Sequence, residues 1–350
     1  HPLMNKIKHS VLGLGWFGEK HCEALAAIPN VEIHAICTRN SERLAEVAKK
    51  FGVKKTFTSY EAMLADPEVE SVSITTMWDQ HAAPAVAALK AGKHVYCEKP
   101  IGVTAAQVRS VVRAAKAAPK QVFVAGQQLR SMNQYREAIR KIHEGAIGEV
   151  LWVKAQRHAT ADLAHEGSSG DWYFDVAKSG GYLIEQSVHN LDLCNWVINA
   201  QPVRACGFGG TQLYKNDPPG RTIFDCATLS YEYANGVKLS FTQNVFHPRT
   251  LPLGGQYVHV YGSKGAVELM GSGLVHMLQA SREDKPQMLV EKREEPVHAH
   301  ITAFYDAITK SAPSPAGITI GATAALTAIL GHEAMTRRAV VEWKELGVEL

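Results

Sequence analysis

A chain of 350 residues is too long for one small core and is read most simply as two domains. Its apolar share of 46% and charged share of 20% are those of an ordinary soluble globular protein, and a net charge of +3 without a basic run argues against nucleic acid as a partner. Six cysteines (Cys22, Cys37, Cys97, Cys194, Cys206, Cys226) stand singly with no C-x-x-C spacing, which argues against a zinc ribbon or disulfide scaffold, and no apolar run approaches the roughly 20 residues of a membrane span.

In chain order, His1-Pro2-Leu3 reads as vector-derived and Met4 as the native start. Nothing after Met4 has the layout of a signal peptide, so a cytoplasmic location is expected. Ile7 to Leu14 is an apolar run that ends in Gly13-Leu14-Gly15-Trp16-Phe17-Gly18. A helical pattern through Ala24, Leu25 and Ile28 follows, then a second apolar run from Val31 to Cys37. Strand, glycine turn, helix and strand within about 30 residues is the context that gives G-x-G-x-x-G its meaning. Gly13 permits the tight turn, Gly15 lets backbone approach a pyrophosphate, and Gly18 lets the helix pack on the strand. The unpaired N–H groups at the helix start then face the phosphates.

The alternation continues with helix 41–51, a strand around Thr56 and Phe57, helix 60–64, strand 69–75, helix 84–91, strand 94–97, helix 104–117 and strand 121–125. Strands alternating with helices predict a parallel, doubly wound sheet whose ligand lies beyond the carboxyl ends of its strands. Three such ends matter: Thr75-Thr76-Met77-Trp78, Glu98-Lys99-Pro100 and Gly126-Gln127-Gln128. The expected division is an α/β Rossmann domain over 4–126 and an α+β domain over 127–350. At the end of the second strand, Cys37-Thr38-Arg39-Asn40 offers no carboxylate for a ribose 2′-hydroxyl. Thr38, Arg39 and Arg43 could instead meet a 2′-phosphate, which favours NADP while NAD stays open.

Lys99 ends an apolar strand and precedes Pro100, so it is expected to be extended at the lip of the sheet, pointing into the cofactor crevice. Glu185, His189 and Asp192 fall at helical spacing i, i+4 and i+7, beside an apolar stripe of Ile184, Val188, Leu191 and Ile198. A polar line next to a buried one suits side chains lining an internal cleft, and Gly180-Gly181 allows close approach just before it. Histidine and carboxylates at that spacing could also hold a metal, but no second histidine-rich element supports this and no metal is expected.

These residues carry a resemblance to the glucose–fructose oxidoreductase / inositol dehydrogenase (Gfo/Idh/MocA) family. It rests on the glycine motif, on Ala88-Leu89-Lys90-Ala91-Gly92-Lys93-His94-Val95-Tyr96-Cys97-Glu98-Lys99-Pro100, and on the Gly-Gly…His-x-x-Asp helix. The hairpin Tyr261-Gly262-Ser263-Lys264-Gly265 and two C-terminal helices, 299–309 and 319–336, extend it over essentially the whole chain. The resemblance implies a second domain built on an open, mostly antiparallel sheet, with one face on the substrate and the other often on another subunit. It places the family's catalytic lysine on Lys99 and its catalytic histidine on His189, with Asp192 as a partner acid. Glu185 stands where the family usually has aspartate, and Trp78 where it usually has asparagine. Thr76, His81, Glu98, Gln128 and Arg130 fall on cofactor-crevice positions.

The chemistry fits those residue types. Oxidising a secondary alcohol needs a base for the hydroxyl proton, which histidine supplies near neutral pH, and a cation such as Lys99 to stabilise the developing alkoxide. Glu185 or Asp192 would orient the imidazole. The loop 157–173 carries Arg157, His158, Asp162, His165, Glu166, Asp171 and Trp172, polar groups interleaved with an aromatic ring, as suits a hydroxylated ring. Arg157, His158 and Trp172 are therefore expected to contact the substrate, a neutral sugar or glycoside.

The expected activity is an NAD(P)-dependent sugar oxidoreductase. An alternative is a redox-neutral glycosidase that retains NAD and works by oxidation, β-elimination, water addition and reduction. A non-enzymatic sugar sensor need not keep Lys99 and His189 together. Hairpin strands at 258–261 and 266–270 are expected in a sheet with an apolar outer face, covered in a homodimer or homotetramer.

Overall fold

The computed structural model describes residues 6–162, 170–252, 254–291 and 296–350; Met4, His165 and Glu166 lie outside the described residues. The first half alternates as the composition predicts: β1 (Ile7–Leu12), α1 (Trp16–Ala26), β2 (Val31–Cys37), α2 (Ser41–Phe51), β3 (Lys55–Phe57), α3 (Tyr60–Leu64), β4 (Ser71–Ile74), α4 (Ala82–Lys90), β5 (His94–Cys97), α5 (Ala105–Ala117) and β6 (Phe123–Ala125). The strands form one parallel sheet in the order β3-β2-β1-β4-β5-β6. Helices cover both faces, so β4 is buried at all four positions and reads as a continuous apolar or small run. The strand order reverses between β1 and β4, and that switch point opens a crevice above the strand ends. Local chemistry sets the helix limits. Asn40 accepts the Arg43 N–H to start α2, which ends where Gly52 turns left-handed at φ +68°.

A second set of elements follows: α6 (Asn133–His143), β7 (Val150–His158), α7 (Val176–Ser179), α8 (Gly181–Glu185), α9 (Val188–Ile198), β8 (Pro202–Gly210), β9 (Cys226–Tyr233), β10 (Lys238–Asn244), β11 (Gln256–Gly262), β12 (Gly265–Met270), β13 (Leu274–Met277), β14 (Gln287–Met288), α10 (Pro296–Thr309), α11 (Ile318–Arg337) and β15 (Val341–Glu342). The nine strands order as β14-β13-β12-β11-β7-β10-β9-β8-β15, antiparallel except where β7 meets β10. Period-two alternation places Val153, Ala155, Leu239, Phe241, Leu229, Tyr231, Val258 and Val260 in the core. Among the described residues no helix covers the opposite face, and it is not the apolar surface expected. Trp152 and Tyr261 stack there with ring centroids 5.1 Å apart, but Lys154, Ser240, Thr242, Ser230 and Glu232 share the face.

Helix α11 joins the two sheets. A Cβ on Gly321 would lie 2.5 Å from the Ala125 Cβ in β6, and one on Gly331 would lie 2.1 Å from the Tyr231 hydroxyl in β9. By length and composition this helix could cross a membrane, contrary to the reading of the sequence, yet 67% of its apolar window is buried within the fold. It is a core helix. Helix α10 returns to the first sheet, where Phe304 and Tyr305 meet the His9 ring edge-on. All six cysteines are unpaired.

Candidate active site

The glycine turn is shaped by contact. Gly13 is left-handed at φ +91°, and a Cβ there would sit 2.6 Å from the Thr75 carbonyl oxygen. A Cβ on Gly18 would fall 2.0 Å from the Gly13 oxygen, so only glycine lets α1 settle on this turn. Gly15 is different: its Cβ would meet nothing within 4 Å, which leaves the backbone open to an incoming group. The Thr75 hydroxyl donates to the Gly13 oxygen at 2.7 Å and bolts the turn to β4. No side chain caps α1, so its first N–H groups keep their capacity for an anion, with Trp16 73% exposed and Phe17 tilted against it.

At the far strand end, Gln127 is buried with both amide atoms unpartnered, and the Gln128 Oε1 is likewise unpartnered. Orphaned polar atoms beside an open glycine turn fit a dinucleotide whose amide and hydroxyl groups complete them. The sequence pointed to this strand end but assigned the cofactor contact to Gln128 alone; Gln127, the other half of the glutamine pair, is the residue buried with its whole amide unpartnered.

Three expected cofactor residues are committed elsewhere. The Arg43 Nε donates to the Leu14 carbonyl at 2.8 Å, and its two amines pair with Glu19 and Glu46, leaving no free fork for a 2′-phosphate. His81 does not line the crevice. It is buried, with ring nitrogens 2.7 Å from the Pro100 oxygen and 3.0 Å from the Thr76 oxygen, and braces the β4 loop against the strand carrying Lys99. Thr76 spends its hydroxyl on the Gln80 carbonyl. Arg39 is exposed, 3.3 Å from the Gln80 Oε1, and the Thr38 hydroxyl accepts the Asn40 N–H at 3.4 Å.

Glu98 is the end of a buried polar line that the sequence did not show. The His21 Nε2 donates to Glu98 at 2.9 Å, while the Lys99 N–H donates to its other oxygen at 3.2 Å. The His21 Nδ1 lies 3.0 Å from the Ser73 hydroxyl, which lies 2.8 Å from the His9 Nε2; the His9 Nδ1 is 2.7 Å from the Ser71 hydroxyl. Burial pushes His9 well below its usual range, so it is neutral.

Lys99, joined to Pro100 by a cis peptide bond, reaches from the end of the first sheet to the second half of the chain, where its Nζ donates to the Glu185 carbonyl oxygen. Burial lowers the Lys99 pKa, and Arg157 adds to the effect, while Glu185 and Glu98 oppose it. Burial raises the Glu185 carboxyl from 4.5 to about 7. Its Oε1 accepts the Tyr173 hydroxyl at 2.9 Å and its Oε2 is unpartnered. His189 is held well below its usual range by burial and by the charges of Lys99 and Arg157, and its Nδ1 has no partner.

The single helical stripe expected for Glu185, His189 and Asp192 is broken. Helix α8 ends at Glu185 and α9 begins at Val188. The Ser187 hydroxyl between them donates to Gln243 of β10 at 2.9 Å, and this tertiary bond stabilises the turn. Glu185 and His189 still share the neighbourhood of Lys99, but Asp192 does not orient the imidazole. Its carboxylate takes both Nε and an amine of Arg130, at 2.9 and 2.8 Å, beneath a cation–π contact of Arg130 with Trp196. Burial raises the Asp192 carboxyl against the pull of that guanidinium.

The substrate-facing expectations divide by strand parity. β7 continues through His158, two residues into the stretch expected as loop 157–173, so Arg157 falls on the inner face and bonds Gln186 and Asn190. His158 falls on the outer face, 3.0 Å from the Thr242 hydroxyl and 3.2 Å from His247, and cannot contact a ligand in the cleft. Trp78 and Trp172 stand 4.8 Å apart, with Tyr173 6.0 Å from Trp78, forming one aromatic wall near Glu185. Asp162 is taken up in a fully buried ion pair with Arg221 at 2.6 Å.

A glycine cradle at a switch point, with a buried lysine reaching from the strand ends to helix α8 of the second half, defines a Rossmann-type oxidoreductase. Residues 7–126 match the family described as "Oxidoreductase family, NAD-binding Rossmann fold", and residues 135–268 match the "GFO/IDH/MocA C-terminal domain". The chain belongs to the Gfo/Idh/MocA family. It is 30% identical to a trans-1,2-dihydrobenzene-1,2-diol dehydrogenase of Bos taurus over 75% of this chain and 74% of that one. It is 31% identical to an inositol 2-dehydrogenase of Salmonella typhimurium over 55% of each. The fold is shared with an oxidoreductase domain protein from Kribbella flavida (TM-score 0.84, 22% identity, covering 97% of this chain and 99% of that one). It is also shared with levoglucosan dehydrogenase in complex with NADH (TM-score 0.82, 20% identity, the same coverage). These relatives make the chain an oxidoreductase of the sugar and polyol dehydrogenase type with a nicotinamide cofactor.

Proposed function

We propose that the chain oxidises a secondary hydroxyl of a ring or chain polyol, or reduces the matching ketone, in a cleft between residues 4–126 and 127–350. The observation that carries this reading is the neutral His189 beside the buried Lys99, below an aromatic wall and beyond the glycine cradle. A bound nicotinamide dinucleotide, held at Gly13, Gly15, Gly18, Gln127 and Gln128, supplies the hydride acceptor. A neutral imidazole can take the hydroxyl proton, and Lys99, one of the cations that keep it neutral, stabilises the alkoxide oxygen as it forms. Lys99 donates to that oxygen. Glu185, held by Tyr173, is the group whose charge changes near neutral pH and so sets how firmly Lys99 keeps its proton.

The cofactor is NAD or NADP. With Arg43 committed to Glu19 and Glu46, Arg39 is the remaining side chain that can read a 2′-phosphate. A second reading, redox-neutral glycoside cleavage with a retained NAD, is favoured by the Glu185 carboxyl, which can serve as an acid near pH 7. One experiment separates the two. Added NAD or NADP should be reduced in solution, many equivalents per protein, by cyclitols or aldoses. Glycoside cleavage without net reduction, on protein carrying one tightly bound dinucleotide, would replace the first reading with the second. We further propose a homodimer or homotetramer through the uncovered face bearing Trp152 and Tyr261; light scattering that gives a monomer at micromolar concentration refutes it.

A further inference from the structure

Arg157 is a cation of the cleft whose guanidinium is held only by neutral groups. One guanidinium amine donates to the Asn190 Oδ1 at 3.1 Å and the Gln256 Oε1 at 3.0 Å, and the other to the Gln186 Oε1 at 2.7 Å. All three acceptors are neutral amides. The Nε is buried and unpartnered. Nearby acids are engaged elsewhere: Asp192 with Arg130, and one oxygen of Glu185 with Tyr173. Among the described residues Arg157 forms no ion pair.

Its position is that of a substrate contact. Gln186 and Asn190 immediately follow Glu185 and His189, so the guanidinium is anchored one residue from each. Lys99, Glu185 and His189 all feel its charge. Arg130 and Asp192 cancel, and Lys99 and Arg157 face the carboxyls of Glu98 and Glu185, so the cleft carries one excess positive charge when Glu185 is protonated. A half-buried guanidinium whose partners are all neutral amides keeps its charge available to an anion. Anchors on β11, on the α8–α9 turn and on α9 hold the planar fork in one orientation, as two-pronged recognition of a carboxylate requires.

We propose that Arg157 recognises a carboxylate carried by the substrate, so that the polyol oxidised beside Lys99 and His189 is a sugar acid of the hexuronate or aldonate class. This rests on the oxidoreductase reading and replaces the neutral sugar expected from the sequence. The competing role, a staple joining β7 and β11 to the α8–α9 turn, would affect every substrate alike.

The test compares D-glucuronate and D-galacturonate with their methyl esters and with D-glucose and D-galactose, using wild type and Arg157→Gln with NAD and NADP. Expected is a preference for the acid over its ester in kcat/KM, about ten- to a hundredfold in wild type, that collapses in the variant. No preference in wild type, or an acid-to-ester ratio unchanged by the substitution, overturns the proposal. If the variant does not fold, wild type alone decides: KM for the acid must rise with ionic strength while that for the ester stays flat. If nothing is oxidised, calorimetry on the cofactor-loaded protein still separates the two ideas. Uronate binding that Arg157→Gln abolishes keeps the carboxylate site and sinks the oxidoreductase reading, whereas no uronate binding sinks the site.

Discussion

Glu185→Gln should make the protein more stable at alkaline pH and leave it unchanged in acid. Glu185 is fully buried, and burial lifts its carboxyl from 4.5 to about 7 against the pull of Lys99. Between those values the folded protein holds a proton that the unfolded chain has released. The group's favourable contribution is therefore complete below about pH 4.5, falls as pH rises, and is lost above about 7. At about 1.4 kcal/mol per pH unit, that window is worth roughly 3 kcal/mol. Glutamine keeps an oxygen for the Tyr173 hydroxyl and nearly the same volume, but it never ionises. Urea unfolding of cofactor-free wild type and variant between pH 4.5 and 8 reads the difference directly. The two should coincide within about 1 kcal/mol at the acid end and separate by roughly 3 kcal/mol, in favour of glutamine, by pH 8. Parallel curves would show that Glu185 ionises alike in both states, and would remove it as the group that titrates beside Lys99.

Other expectations follow from the same geometry. Lys99→Ala and His189→Ala should each lower turnover by about 10²–10⁴-fold with cofactor still bound, and the double variant should lose less than the product, because both act on one oxygen. Steady-state kinetics showing His189→Ala within a few-fold of wild type would assign the base to Lys99. Gly15→Val should fold normally yet lose dinucleotide binding in calorimetry, since its side chain meets only the space left for phosphate. Gly18→Ala should instead destabilise by about 1–3 kcal/mol, because its Cβ runs into the Gly13 oxygen; equal melting temperatures for the two variants would contradict this. Ser73→Ala orphans a ring nitrogen on both His9 and His21 and should cost about 1–3 kcal/mol in chemical unfolding, against no change if the buried line were incidental.

Whatever depends on neighbours along the chain was legible in the residues. Apolar runs alternating with helical spacing specify the parallel sheet, and glycines at 13 and 18 specify a turn that only glycine can make, with Gly15 leaving its backbone open. Lys99 at a strand lip and the His189 segment were visible for the same reason. Most of the failures are contacts between distant segments, with a few local ones such as Thr76 on the Gln80 carbonyl. Glu185, Gln186 and Ser187 suit a helix locally, yet Gln243, more than fifty residues on, captures the Ser187 hydroxyl at the turn where the stripe breaks. Asp192 has the right spacing to serve His189, but Arg130 takes it first from another part of the chain. Two added residues of strand decide that Arg157 looks into the cleft and His158 away from it, because parity in a sheet is set by hydrogen bonding to the neighbouring strands. The buried line from Ser71 through His9, Ser73 and His21 to Glu98 draws on β1, β4, α1 and β5 at once. A sequence determines which side chains are available and which local shapes they prefer. Which of them become partners is decided only when packing removes them from water and each polar group must find another within about 3 Å.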